Sequence, residues 1–114
     1  MKNKYALYIG RWQTWHSGHE WLIRQQLDKG KKVWIAIRDV PQDENNPNTA
    51  LEILKNLHDE DFIKDNISNI LISIIPDIDS INYGRGVGYD VVYHEPPDEI
   101  REISGTKIRS QKSV

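Results

Sequence analysis

Apolar residues in this chain fall into short unbroken runs separated by polar stretches with helical spacing. Tyr5-Ala6-Leu7-Tyr8-Ile9 and Val33-Trp34-Ile35-Ala36-Ile37 contain no charged side chain, and Ile70-Leu71-Ile72-Ser73-Ile74-Ile75 is broken only by a serine. Runs of this length without alternation are what strands buried on both faces of a parallel sheet require. They predict strands over 5–9, 33–37 and 70–75, a fourth over 90–93 at Val91-Val92-Tyr93, and a last short edge segment over 99–103. Between them, Glu20 to Lys29 brings Leu22, Ile23 and Leu27 to one helix face, and the spacing puts His19 on that same inward face. A second helix is predicted from Ala50 to Leu57, with a further turn over 59–66. Strand and helix patterns in alternation predict an α/β fold. The expectation is a single Rossmann-like three-layer domain over residues 1–114, with a mainly parallel five-stranded sheet.

The polar stretches carry end signals for these elements. Ser17-Gly18-His19-Glu20 and Thr49-Ala50-Leu51-Glu52 both have capping-box spacing, in which a hydroxyl caps a helix and a glutamate reaches back. Gly30, among Lys29, Lys31 and Lys32, reads as a left-handed helix cap with cations at the negative dipole end. Val40 to Asn48 is a polar loop. Gly84-Arg85-Gly86-Val87-Gly88 has the wrong glycine spacing for a dinucleotide fingerprint and no helix pattern after it. It reads as a tightly turning active-site loop in which Arg85 offers a cation. Ser104 is an N-cap candidate that places Gly105 and Thr106 at a helix entrance, with Lys107 and Arg109 on the same turns.

Composition narrows the field only a little. The 114 residues suffice for one core, and 38% hydrophobic and 28% charged residues are ordinary for a globular chain. There is no cysteine, which excludes disulfides and thiolate metal sites. No apolar run is long enough to span a bilayer, and the basic start runs into an apolar stretch that breaks at Gly10, unlike a signal peptide. No membrane association and a cytoplasmic location are therefore expected. A net charge of −2 argues against general nucleic-acid binding, which needs a basic face. A small phosphorylated ligand needs only local positive potential.

That potential has an obvious source. His16 and His19 stand at the entrance of the first helix, at the end of the first strand, where backbone N–H groups and the helix dipole favour an anion. Ligands of open α/β sheets bind at this carboxyl edge. Trp12, Trp15 and Trp21 surround the turn as packing residues, with Trp12 placed to wall a ligand pocket. Arg38 and Asp39 close the second strand, and Asp77 follows the third; with Arg85 they are candidates for contacting a second, acceptor substrate.

The early His16-Ser17-Gly18-His19 and the late Ile103-Ser104-Gly105-Thr106-Lys107-Ile108-Arg109 together resemble the two-part signature of the HxGH nucleotidylyltransferase superfamily, in its cytidylyltransferase-like form. Further segments are similar to archaeal-type nicotinamide mononucleotide adenylyltransferases: Gly10-Arg11-x-Gln13, Asn46-Pro47-x-Thr49-Ala50 and Ile75-Pro76-Asp77-Ile78. There are departures. Thr14 stands where the family often has proline, the nicotinamide-site pattern is not matched, and that adenylyltransferase group continues with helices beyond the late motif. Small cytidylyltransferases are closer in length.

The resemblance implies transfer of CMP or AMP from CTP or ATP to a small phosphorylated acceptor, with release of pyrophosphate. It implies that His16 and His19 contact the triphosphate, His19 near the α-phosphate, and that Ser104, Thr106 and Arg109 hold the β- and γ-phosphates. His16, His19 and Arg109 are thus the catalytic candidates. Gly10, Arg11, Trp12, Gly18, Ser104, Gly105, Thr106 and Lys107 are the nucleotide-binding candidates. Mg²⁺ is expected to ride on the NTP with no dedicated protein metal site. The alternative is a non-catalytic nucleotide-binding or regulatory module of the same fold. A small sheet with poorly covered edges adds the expectation of a homo-oligomer.

Overall fold

The computed structural model describes residues 4–85, 88 and 90–102. The chain runs β1 (Tyr5–Gly10), α1 (Ser17–Leu27), β2 (Lys32–Asp39), α2 (Ala50–Asp59), α3 (Asp61–Asp65), β3 (Ile70–Pro76) and α4 (Asp98–Arg101), with a single 3₁₀ turn over Ile67–Asn69. The strands form one parallel sheet in the order β1-β2-β3. The three apolar runs are thus the three strands, and the α/β class holds.

Register assigns the faces. Tyr8 pairs with Ile35 and Ile35 with Ile72, while Ala6 pairs with Val33 and Val33 with Ile70, so these side chains share one face. Against them pack Ile23 and Leu27 of α1, Ile53 and Leu57 of α2, and Phe62 and Ile63 of α3. Ile23, Val33, Ile35, Ile37, Ile53, Leu57 and Ile63 are fully buried. Each removes enough apolar surface from water to stabilise the fold by about 1.5–3 kcal/mol. All three helices therefore lie on the same side, as consecutive right-handed crossovers moving one way across a sheet demand. The other face carries Tyr5, Leu7 and Leu71, all exposed, and a half-buried Trp34 whose Nε1 donates to Ser73 Oγ at 2.6 Å.

This corrects the expected five strands and three layers. Among the described residues the sheet has three strands and helices packed on one face. Residues 90–93 are not a strand: Val91, Val92 and Tyr93 are 78%, 52% and 78% exposed and form no ladder. Their β-branched character is a preference for a half-buried pleated surface, and no such surface is supplied here. The expected edge segment over 99–103 begins inside a short helix, α4, which packs against α1.

One predicted capping box forms and one does not. Thr49 Oγ1 accepts from the Glu52 amide at 3.2 Å while Glu52 Oε1 accepts from the Thr49 amide at 2.9 Å, a complete capping box. At α1 the N-cap is His16, not Ser17, because the helix starts one residue earlier than the spacing suggests. Glu20 then falls one position beyond the capping-box site and pairs instead with Arg24 at 3.1 Å. At the far end Gly30, at φ 83°, donates its amide to the Leu27 carbonyl at 2.9 Å, as a left-handed cap does. Thr49→Ala should therefore cost about 1 kcal/mol of unfolding free energy and Ser17→Ala under about 0.5 kcal/mol, measured by urea denaturation. Equal losses at the two positions would contradict this placement of the caps.

Candidate functional site

The turn between β1 and α1 is built around an indole. Trp12 has φ 51°, in the left-handed region that a bulky residue enters only at a cost. It is 6% exposed, and its Nε1 donates to the Ala36 carbonyl of β2 at 3.0 Å. A Cβ on Gly10 would lie 3.1 Å from the indole Cε2 and 3.3 Å from Nε1, so the glycine leaves room for the ring. Beyond the ring lie Trp15, at 6.4 Å between centroids, and His19, edge-on at 5.0 Å. Trp15 extends the cluster to Phe62 of α3, stacked at 6.0 Å.

The same turn is clasped to the loop before α2. Gln13, buried, donates from Nε2 to the Asn48 carbonyl at 3.1 Å and accepts the Asn48 amide at 2.9 Å. Asn48 Nδ2 returns a bond to the Gln13 carbonyl at 2.8 Å. Arg11 Nη1 donates to Asn46 Oδ1 at 3.0 Å, and Asn46 Nδ2 donates to Asp43 Oδ1 at 2.9 Å. Asp43 is held below the usual carboxylate range by these Asn46 and backbone bonds and by Arg11.

His16 and His19 stack with ring centroids 3.9 Å apart, 20° from parallel. His16 Nδ1 accepts the Gly18 amide at 3.1 Å, which places a neutral His16's proton on Nε2. His19 Nδ1 is buried with no hydrogen-bond partner. The neutral tautomer protonated on Nε2 leaves only a lone pair orphaned there, a cheaper arrangement than an orphaned N–H. Burial first, and then the adjacent His16, push the His19 pKa down to about 3. In this arrangement each neutral imidazole carries its proton on Nε2. The backbone contributes less than the sequence suggested: the Gly18 amide is taken by His16 Nδ1 and the His19 amide by the His16 carbonyl at 3.0 Å.

A groove of about 1550 Å³ runs along β1, lined at one end by His16, Gly18 and His19 and at the other by Lys4, Lys31 and Lys32. Its walls include Trp21, Trp34 and the segment from Asp90 to His94. Sequence reasoning gave that segment to the sheet and so missed it as a wall; His94 stacks on Tyr8 at 6.4 Å. Tyr8 was likewise read only as strand: its hydroxyl donates to the Leu22 carbonyl at 2.9 Å, and burial pushes its pKa up to about 12. Neither Phe62 nor Gln26, buried with an unpartnered Oε1, carried a sequence signal for this region.

The remaining candidates are dispersed. Gly10, Arg11 and Trp12 form the turn rather than the lining of the groove, and Trp12 is a core side chain. Arg38 and Asp77 pair with each other across the ends of β2 and β3 at 2.8 Å, and the Arg38 hydrogen bond holds the Asp77 carboxyl below its usual range. Asp39 is exposed beside them and Arg85 is exposed on its loop; none of these four lines the groove. Ser104, Gly105, Thr106, Lys107 and Arg109 lie outside the described residues. Among the described residues no group of three or more His, Cys, Asp or Glu side chains could hold a metal ion, and no helix is long and apolar enough to cross a membrane. Comparison with protein-family models, curated proteins and solved structures gives no match.

A His19 pKa near 3 has a consequence for stability. The unfolded chain takes up this proton at about 6.5 and the folded chain at about 3, so between those values the unfolded state binds more protons. The associated stability is complete above the unfolded value and is lost as pH falls toward 3, by up to about 1.4 kcal/mol per pH unit. Urea unfolding at pH 7 and pH 5 should show this loss in the native chain and a smaller one in His19→Gln. Identical losses in both proteins would show that His19 is not the group responsible.

Proposed function

We propose that the protein is a nucleotidylyltransferase that transfers CMP or AMP from an NTP to a small phosphorylated acceptor. The observation that carries this reading is the stacked, neutral imidazole pair at the entrance of α1, lining a groove beside the carboxyl end of β1. Support also comes from the sequence resemblance, whose Gly10-Arg11-x-Gln13 and Asn46-Pro47-x-Thr49 segments lie in direct contact. An acceptor phosphate oxygen attacks the α-phosphorus of the NTP. A new P–O–P linkage forms as the bond to the β-phosphate oxygen breaks, and its electron pair leaves with pyrophosphate.

The nucleophile is already anionic, so no side-chain base is needed and catalysis is positioning plus charge stabilisation. His16 and His19 donate from Nε2 to phosphoryl oxygens, with His19 at the α-phosphate. Two stacked rings differ from two flexible cations: their donors are fixed before substrate arrives, and no reorganisation is required as charge develops. On the resemblance, Ser104, Thr106 and Arg109 hold the β- and γ-phosphates. Mg²⁺ prefers hard oxygen ligands and keeps several waters, so it fits a site where the triphosphate supplies its ligands and it neutralises their charge.

The test is pyrophosphate release with CTP and ATP over a panel of phosphorylated acceptors, alongside direct NTP binding. His19→Ala should lower turnover on the order of a hundredfold while changing NTP affinity little, since its contact strengthens in the transition state. Arg109→Ala should instead weaken NTP binding substantially. NTP binding without turnover for any acceptor would favour a non-catalytic nucleotide-binding module. A folded His19→Ala with near-normal turnover would make the histidine structural.

A further inference from the structure

Trp12 combines three features that packing alone does not require. It is the only non-glycine residue with positive φ among the described residues, at 51°. Its one polar atom is committed to the Ala36 carbonyl at 3.0 Å. Its ring is confined between the bare Cα of Gly10, where a Cβ would come within 3.1 Å, and the His19 ring, whose centroid lies 5.0 Å away. A large apolar residue in the first turn after a strand can be buried with ordinary φ. Here the chain instead takes the costly left-handed conformation, and the outcome is an indole fixed at both ends. Strain of this kind persists only where surrounding structure over-determines it, and it gathers at functional sites.

We propose that Trp12 is a positioning residue: it touches no substrate, and it fixes the ring plane of His19 against His16, with Gly10 present to make room for the indole. This rests on the reading of His16 and His19 as phosphate donors. It also gives two motif residues roles different from those the resemblance implies, since Gly10 serves the indole and Trp12 serves the imidazole. His19 lacks a partner on Nδ1, so no hydrogen bond from that atom fixes its rotation about the Cβ–Cγ bond. Ring contacts must do so instead. His16 stacks on it at 3.9 Å, Trp15 lies tilted against it at 5.4 Å, and Trp12 meets it at 66° to its plane. A histidine oriented on Nδ1 by a carboxylate or carbonyl becomes more basic. One oriented by an indole edge stays a neutral donor in a dry site.

The experiment compares the native chain with Trp12→Phe, Trp12→Leu and Gly10→Ala, using NMR of the histidine rings and steady-state kinetics with the preferred NTP. In the native protein, nuclear Overhauser contacts should join indole protons to the His19 ring. Trp12→Phe keeps an aromatic edge and should stay closest to native. Trp12→Leu and Gly10→Ala should shift the His19 ring signals and raise its pKa by a unit or more as water reaches it. They should lower kcat roughly tenfold to a hundredfold, the scale expected for a donor misplaced by about 1 Å, with NTP KM within about twofold. Loss of the indole contact in the native spectrum, or an unchanged His19 signal and pKa in a folded Trp12→Leu, overturns the proposal. Should the Leu variant fail to fold, the native contact and Gly10→Ala decide it. The ring measurements need no turnover, so they stand or fall separately from the nucleotidylyl-transfer reading.

Discussion

Much of the molecule depends on where one indole ring is laid. Trp12 leaves β1 in a left-handed turn and folds back beside Gly10, and its N–H crosses to the Ala36 carbonyl of β2. That single bond ties the end of the first strand to the middle of the second. The ring supplies one wall for His19 and reaches Trp15, which stacks on Phe62 of α3. A local backbone conformation thus links both ends of the first crossover to the third helix. The energetic cost of positive φ, on the order of 1–3 kcal/mol, is offset by burial of the largest side chain in the core and by a satisfied indole N–H.

The clasp between Gln13 and Asn48 works at a second level. The two residues exchange three hydrogen bonds, each between the side chain of one and the backbone of the other, across loops that precede different helices. Gln13 is 6% exposed, and a buried amide left unpaired would cost about 1–3 kcal/mol, so the two loops are constrained to one relative position. Arg11 adds a further bond between the same two loops, to Asn46 Oδ1. The entrances of α1 and α2 are thereby held side by side at the carboxyl end of the sheet. That edge is where a ligand of an open parallel sheet is expected, and it is set by side chains rather than by the sheet itself.

How much of this could be read from the sequence varied with the range of the interaction. Strands β1, β2 and β3 were legible from their unbroken apolar runs, although the face carrying Tyr5, Leu7 and Leu71 is exposed rather than buried, and the Thr49 cap because its two bonds span four residues. Ser17 misled, since spacing alone does not say whether a helix starts at the serine or after the preceding histidine, and an imidazole can cap as well as a hydroxyl. Val91-Val92-Tyr93 misled for a different reason: β propensity records a residue's fitness for a pleated, half-buried surface, and whether a ladder is supplied is a tertiary fact. At the site, the placement of His16 and His19 at the entrance of the first helix was legible, and the stacking of their rings was not. The indole behind it was not, because nothing in Gly10-Arg11-Trp12 announces a positive φ at a tryptophan. The late motif lies outside the described residues, so its meeting with the histidines stands as part of the proposed function.

The stacked pair also decides how charge can enter this site. Two protonated imidazoles 3.9 Å apart would repel by about 1 to 4 kcal/mol, depending on how much water screens them, so the pair takes up one proton well before two. Protonating His16 on Nδ1 breaks its bond to the Gly18 amide, a cap worth about 1 kcal/mol. Protonating His19 puts a charged N–H at a buried atom with no acceptor, which costs more than a neutral orphan would. The two histidines thus differ in what a proton costs them: His16 would give up its bond to the Gly18 amide, and His19 would place a charged N–H at a buried atom without an acceptor.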